Sequence, residues 1–315
     1  ATSPDRSVVY VAGFKTGKGN AYETPLRDKT HGRIYRLVVK DAKPTPPMTL
    51  KDASPEKLVA TLKHDNMFWR KHAQRLLVDR TNVDGNALSE LIVDRSVDAI
   101  GLNVGAIHAL WTLHGHGAVH GHGNEMFCVI FALKHKSAAV RRAAVSVLPQ
   151  NPYLLSHAIP LVDDPDAQVR LAALLALAEM PRNFAATTVD EKAGQAVANA
   201  LRKADNFNDA WLPDAITCAA ARHDVGFLTA MLSNSSALRR IHDITAIVAE
   251  HYARDEPTDS VRAVLDAVSS AEDTIAATVL AALAKGWRNK ESAAVSAETE
   301  QALGKLAKKM PASQQ

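Results

Sequence analysis

The sequence predicts a mostly α-helical solenoid that is preceded by a short two-stranded β segment. Three observations lead to this fold class. Alanine, the best helix former, supplies 54 of the 315 residues, and its small side chain lets helices approach closely. Aromatic residues make up only 5% of the chain. From residue 54 onward helical units recur, and such units stack because one helix pair alone cannot bury its apolar face.

The overall composition is that of a folded globular chain, with 47% apolar and 23% charged residues. These values argue against a disordered or fibrous protein. The formal net charge is +3, and residues 1–50 hold nine Lys/Arg against four Asp/Glu. The remainder is therefore close to neutral and offers no basic footprint for nucleic acid. No run of 18 apolar residues occurs, so the sequence predicts no membrane span.

The chain begins with residues 1–4, ATSP, and has no basic stretch followed by an apolar one. We therefore expect any signal peptide to have been removed or to lie upstream. The two cysteines, Cys128 and Cys218, are 90 positions apart and form no zinc or haem-attachment pattern. Each lies in an apolar helical stretch, which favours two buried free thiols over a disulfide.

Residues 1–40 form the predicted β segment. Residues 7–14 are β-branched and aromatic, and residues 32–40 alternate between apolar and polar side chains, as expected for strands. A polar loop with glycines, residues 15–31, joins them. Because two strands alone are marginal in water, we expect this segment to dock on the first helix pair.

Residues 41–53 are predicted to be a linker, because Pro44, Pro46 and Pro47 favour extended backbone. The helical domain then spans residues 54–315. Ser54 and Pro55 are typical of a helix start, with serine as N-cap and proline in the first turn.

Several segments of the helical domain share one pattern. Residues 62–77 and 161–177 each contain an acidic turn, an apolar residue followed by arginine, and apolar residues at spacings of three and four. Residues 140–148 are a third copy and residues 105–113 a degenerate one. Beyond Pro181 the repeat blurs while the helical period continues. The domain thus contains about seven helix pairs, and the later helices are predicted over 189–201, 210–221, 225–232, 238–252, 260–268, 273–287 and 297–310.

These units resemble HEAT repeats of the short bacterial type, which form right-handed solenoids. The resemblance implies that the turn aspartate caps the second helix of its pair. It also implies that the arginine after the apolar residue reaches the turn of the neighbouring unit. By match, these roles fall to Asp65 with Arg70 and to Asp164 with Arg170.

A second resemblance covers residues 8–12, 28–36 and 69–77. In this order they are similar to the junction in bacterial membrane-bound, sorbosone-dehydrogenase-like proteins. In that family a β-propeller ends in a Gly-Arg-Ile-Tyr-Arg strand, a HEAT array follows, and a c-type cytochrome domain often comes next. The resemblance implies that residues 1–40 are the last propeller strands and that the chain is a periplasmic or exported piece. This chain has no CxxCH motif, so the family's redox chemistry lies outside it.

A histidine-rich segment, residues 114–122, is the clearest candidate for metal binding. It contains His114, His116, His120 and His122, and imidazole suits Zn²⁺, Cu²⁺ and Ni²⁺. Each of these four histidines precedes a glycine, whereas structural metal sites hold their ligands on fixed elements. The sequence therefore favours a solvated loop between helices over a metal site.

No nucleophilic arrangement is visible in the sequence. Ser146 and Ser156 lack a glycine elbow, and His157 is adjacent to Ser156 in sequence. Residues 17–19, GKG, lack the frame of a phosphate-binding loop. We therefore predict no catalytic, cofactor-binding or metal-ligating residue and no bound cofactor.

Two further groups favour structural roles. The acidic residues 163–166 lie where carboxylates stabilise the start of the next helix. The tryptophans are expected to pack inside or between repeats: Trp69, Trp111, Trp211 and Trp287.

The predicted function is a non-catalytic scaffold that binds a protein partner or a neighbouring catalytic domain, as part of a larger exported redox protein. The alternative is a fragment or subunit of a periplasmic quinone- or haem-linked sugar-type dehydrogenase whose redox centre lies outside this chain. A HEAT-like lyase that attaches a chromophore is the least favoured alternative, because cysteines are few and no acidic pocket is evident.

Overall fold

The computed structural model of the chain describes residues 8–10, 35–37, 40–41, 48–80, 85–118, 123–181, 187–234, 239–288 and 296–309. The chain divides into two compact units. The first contains residues 1–94 and 103–128, and the second contains residues 95–102 and 129–315.

Two short strands precede the helices. Strand β1 (Val8–Tyr10) pairs antiparallel with β2 (Tyr35–Leu37), and Val9 is opposite Arg36. The side chains of both strands and the other residues of the segment 1–39 lie outside the described residues, as do residues 42–47 of the linker. The docking of this segment on the first helix pair therefore stays a prediction.

The first unit contains four described helices: α1 (Pro55–Thr61), α2 (Met67–Val78), α3 (Gly85–Val93) and α4 (Val104–Gly115). Helix α1 begins as predicted, because the Ser54 side chain accepts a hydrogen bond from the Lys57 amide. Helix α1 packs on α2 and α3 on α4, while α2 contacts α4 and α1 contacts α3. Two helix pairs are thus stacked in two layers, around Leu58, Leu62, Leu77, Leu88, Ile92 and Leu110.

The chain passes into the second unit within α5 (Asn124–Ala132). Beyond it lie α6 (Ala138–Val147), α7 (Pro152–Leu155), a 3-10 helix (Ser156–Asp163) and α8 (Ala167–Ala178). The later helices are α9 (Thr187–Leu201), α10 (Ala204–Phe207), α11 (Leu212–Arg222), α12 (Asp224–Ser233), α13 (Arg239–Arg254), α14 (Val261–Ser270), α15 (Asp273–Gly286) and α16 (Ala297–Lys309).

The second unit also has two layers. The 3-10 helix, α9, α12, α14 and α16 follow one another in the first layer, and α6, α8, α11, α13 and α15 follow one another in the second. Each helix of the first layer also packs on a helix of the second. The predicted stacking of helix pairs is confirmed within each unit, and the right-handed sense of the stack stays a prediction. In the described part of the chain, no helix has the length and apolar character needed to cross a membrane.

Candidate functional site

Arg141 connects two successive repeats within the second compact unit. Its Nε and Nη2 atoms donate to the two carboxylate oxygens of Asp164, both at 2.7 Å, and its Nη1 atom donates to the carbonyl of His135 at 2.8 Å. The side chains of Arg141 and Asp164 are only 12% and 4% exposed. A forked, largely dry ion pair therefore joins α6 to the turn that precedes α8.

The roles predicted for Asp164, as a helix cap, and for Arg170, as a link to the turn of a neighbouring repeat, are not the ones observed. Arg170 donates from Nη1 to the backbone carbonyls of Asp164 at 2.9 Å and Pro165 at 3.1 Å, within its own turn. The Asp164 carboxylate is taken by Arg141 of the preceding unit. Asp164 is also too far before α8 to cap it, and Asp166 accepts the amide hydrogen bonds of the first turn instead.

Arg70 shows the same geometry in the first unit. Its Nη1 atom donates to the carbonyls of His64 at 2.7 Å and Asp65 at 2.8 Å. The capping role predicted for Asp65 belongs to Asn66, which directly precedes α2 and accepts from the Phe68 amide. Arg70 does contact the neighbouring repeat, but its partner is His108 inside α4 and not a turn, so the predicted partner is wrong.

His108 is held as a neutral ring between α2 and α4. Arg70 Nε can only donate and lies 3.2 Å from His108 Nε2, so this ring nitrogen accepts. Nδ1 then carries the proton and donates to Gln74 Oε1 at 2.6 Å. Burial, followed by the positive charges of Arg70 and Lys71, lowers the pKa of His108 to about 4.

We expect His108 to make the stability of the first unit depend on pH. Its pKa is about 4 when folded and about 6.5 when unfolded, so the unfolded chain binds more protons between these values. Stability should therefore be lost as pH falls from about 6.5 to about 4, by roughly 1–3 kcal/mol after allowing for partial exposure. Urea unfolding across this range measures it. His108→Gln keeps one donor and one acceptor without titrating, and an unchanged pH slope in this variant would contradict the assignment.

A groove of about 360 Å³ lies on the open face of the second-layer helices α6 and α8. The side chain of Leu175 projects into this groove, and Leu175 is 46% exposed although other residues of α8 are buried in the core. The groove combines an apolar floor with polar residues at its ends. Its lining consists of Arg142, Val145, Ser146, Leu148, Gln150, Leu155, Gln168, Leu171, Ala172, Leu175, Ala176 and Glu179.

A second cavity, of about 430 Å³, lies where α9, α11 and α12 meet the segment between α13 and α14. Six of its lining residues carry carboxylates: Asp190, Glu191, Asp224, Asp255, Glu256 and Asp259. Sequence reasoning found no acidic pocket, because these residues come from separate segments that only the fold brings together. Arg222 and His223 both contact Asp190 Oδ1, at 3.3 and 2.9 Å, and so connect α9 to the end of α11.

His223 and Tyr252, which also line this acidic cavity, are poorly suited to acid–base catalysis. The His223 side chain is fully buried, and its second ring nitrogen lies 3.1 Å from the Leu177 carbonyl. Burial, opposed by a hydrogen bond with Ser260, raises the pKa of Tyr252 to about 12. A general acid or base works best with a pKa near the operating pH and must reach its substrate. We therefore assign these residues to the joint between repeats.

The histidine-rich segment is described only in part. His116 Nε2 lies 2.7 Å from the Leu77 carbonyl, and the His114 ring packs edge-on against Trp111. His120 and His122 lie outside the described residues. Where side chains are described, no three His, Cys, Asp or Glu residues are placed to hold a metal.

The purified chain is expected to carry no stoichiometric metal after dialysis against a chelator, because His116 is engaged with the backbone. Elemental analysis of the dialysed protein tests this. One equivalent of zinc or copper that is lost on replacing His116 and His120 would instead establish a metal site.

The remaining sequence predictions have mixed outcomes. Both cysteines are free, but Cys128 is half-buried and Cys218 exposed, so the predicted burial is wrong for Cys218. Trp69 is buried as predicted. Trp211 is 68% exposed because it lies at the start of α11, outside the core. Ser156 donates to the Tyr153 carbonyl at 2.5 Å, an ordinary helical contact.

Comparisons with known proteins give little further information. No protein-family model matches the chain, and no curated protein matches it. One solved structure that is similar is that of the complex of CpcE and CpcF of phycocyanin lyase from Nostoc sp. PCC7120. The identity is 17% and the TM-score 0.37, over 87% of this chain and 100% of that chain. A similarity of this size supports no inference about function.

Proposed function

We propose that this chain is a non-catalytic helical-repeat scaffold that docks a protein partner or a neighbouring catalytic domain. The observation that supports it is the α6/α8 groove, in which Leu171, Ala172, Leu175 and Ala176 remain accessible on a helix whose other face is buried. Repeat units present such surfaces on rigid helices. Apolar side chains that stay open in a groove are typical of protein interfaces.

Photo-crosslinking in the native cells tests the proposal. A benzophenone amino acid replaces Leu175 in the groove or, as the control, Ile247, which is 56% exposed on α13. We expect an adduct of one defined mass from position 175 only, and its loss when Ala172→Arg is added. No adduct from position 175, or the same adducts from both positions, would contradict docking at this groove.

We propose further that the scaffold belongs to a larger exported redox protein, or is a piece of a periplasmic quinone- or haem-linked sugar-type dehydrogenase. The support is the resemblance of residues 28–36 and 69–77 to a propeller–HEAT junction. Reading the coding sequence on both sides of this chain tests it. Propeller-blade repeats upstream or a CxxCH motif downstream are the expected result. A reading frame with neither would remove the redox assignment and leave the scaffold proposal standing.

A further inference from the structure

We infer that the α6/α8 groove takes one amphipathic α-helix of a protein partner, lying antiparallel to α6 and α8. The inference rests on the proposed docking function and names the partner's chemistry at that same surface.

The direction of the groove follows from contacts at its two ends. At one end Arg141, in the first turn of α6, binds Asp164, which precedes α8. At the other end the Nε2 atom of Gln150, just after α6, lies 3.5 Å from the Oε2 atom of Glu179, the residue directly after α8. Like ends of α6 and α8 are therefore adjacent, and the two helices run parallel.

The shape of the groove matches a helix of about three turns. The accessible positions along the groove recur at helical spacing from Gln168 to Glu179, which is 11 steps of about 1.5 Å, or about 16 Å. The small residues Ala172 and Ala176 leave room beside the ridge formed by Leu171 and Leu175. The accessible residues that line the groove on α8 and directly after it are Gln168, Leu171, Ala172, Leu175, Ala176 and Glu179, and those on α6 include Arg142 and Ser146.

Backbone pairing cannot hold an extended segment here. The groove walls are side chains of two regular helices, whose interior amides and carbonyls are already bonded along each helix. A partner strand would find no open edge to pair with. A helix satisfies its own backbone and presents apolar side chains at the same spacing as the groove.

The charges of the groove select the antiparallel direction. Arg142, in the second turn of α6, lies toward one end of the groove, and Glu179, directly after α8, lies at the other. The groove therefore offers a positive and a negative end to the dipole of a partner helix. A partner helix that lies antiparallel places its carboxyl end, with free carbonyls, beside Arg142. Its amino end, with free amides, then lies beside Glu179. A parallel helix would bring like ends together.

Fluorescence anisotropy with the full chain tests the inference. The probe is a dye-labelled, end-capped peptide of about 16 residues with leucines on one helical face and glutamines on the other. We expect saturable binding that a central proline weakens roughly tenfold or more, because it breaks the helix. Ala172→Arg in the protein should weaken binding similarly. Ala281→Arg, at a partly exposed position on α15, should not.

The direction is tested with a benzophenone at either end of the peptide. Adducts from the carboxyl end should map near Arg142, and adducts from the amino end near Glu179. Reversed mapping, equal binding by the proline peptide, or no binding at millimolar concentration would overturn the inference. If position 175 captures a partner through a segment that is not helical, the scaffold proposal stands and only this inference fails. If the peptide binds as expected but position 175 captures nothing, the inference about the helix stands and the scaffold proposal fails.

Discussion

Replacing Gly194 with alanine is expected to lower the free energy of unfolding by about 2–4 kcal/mol. Gly194 lies in the interior of α9 where that helix crosses α12. A Cβ atom at this position would lie 2.5 Å from the His223 carbonyl oxygen and 2.6 Å from the Gly226 carbonyl carbon. It would also meet the Phe227 amide nitrogen. These are backbone atoms, so a side-chain rotation cannot relieve the contact and the two helices must separate.

Gly304 provides a matched control. It also lies inside a helix, α16, but a Cβ atom there would meet no atom within 4 Å. Gly304→Ala should therefore be neutral, or stabilise by up to about 1 kcal/mol through helix propensity. Urea unfolding of both variants gives the comparison. If Gly194→Ala proves as well tolerated as Gly304→Ala, the close crossing of α9 and α12 is not present in solution.

The helices themselves could be predicted well from sequence. The segments predicted over 189–201, 210–221 and 238–252 are α9, α11 and α13, and their ends differ by at most two residues. Local information was sufficient because alanine-rich segments with apolar residues at spacings of three and four have a strong helical period. The 3-10 helix that contains Pro160 was not predicted, since its course depends on packing against α8 and α9.

The partners of the repeat arginines could not be predicted in the same way. Arg70, Arg141 and Arg170 follow the same local pattern, and each donates to the carbonyls of its own turn. What differs is the acceptor in the next unit, which lies 23 or more residues away. It is His108 for Arg70 and Asp164 for Arg141, whereas the Nε atom of Arg170 is buried without a hydrogen-bond partner.

The candidate docking surface was also beyond sequence reasoning. In α8, all of residues 171–177 are apolar, so the period alone does not show which of them face outward. Only the packing of α6, the 3-10 helix and α11 around α8 decides that Ala173, Leu174 and Leu177 are buried. Accessibility of Leu171 and Leu175 follows from the same arrangement.

Replacing Arg141 with methionine is expected to lower the free energy of unfolding by about 3–5 kcal/mol. Methionine fills a similar volume but leaves the carboxylate of Asp164, whose side chain is 4% exposed, without its forked cationic partner. The carbonyls of His135 and Lys136 lose a donor as well. Arg141→Lys should recover only part of the loss, because a single ammonium cannot reproduce two parallel hydrogen bonds.

The neighbouring Arg142 is exposed, so Arg142→Met should change the unfolding free energy by no more than about 0.5 kcal/mol. Asp164→Leu added to Arg141→Met removes the stranded charge and should restore part of the stability. Equal losses for Arg141→Met and Arg142→Met in urea unfolding would show that the ion pair does not join the two successive repeats.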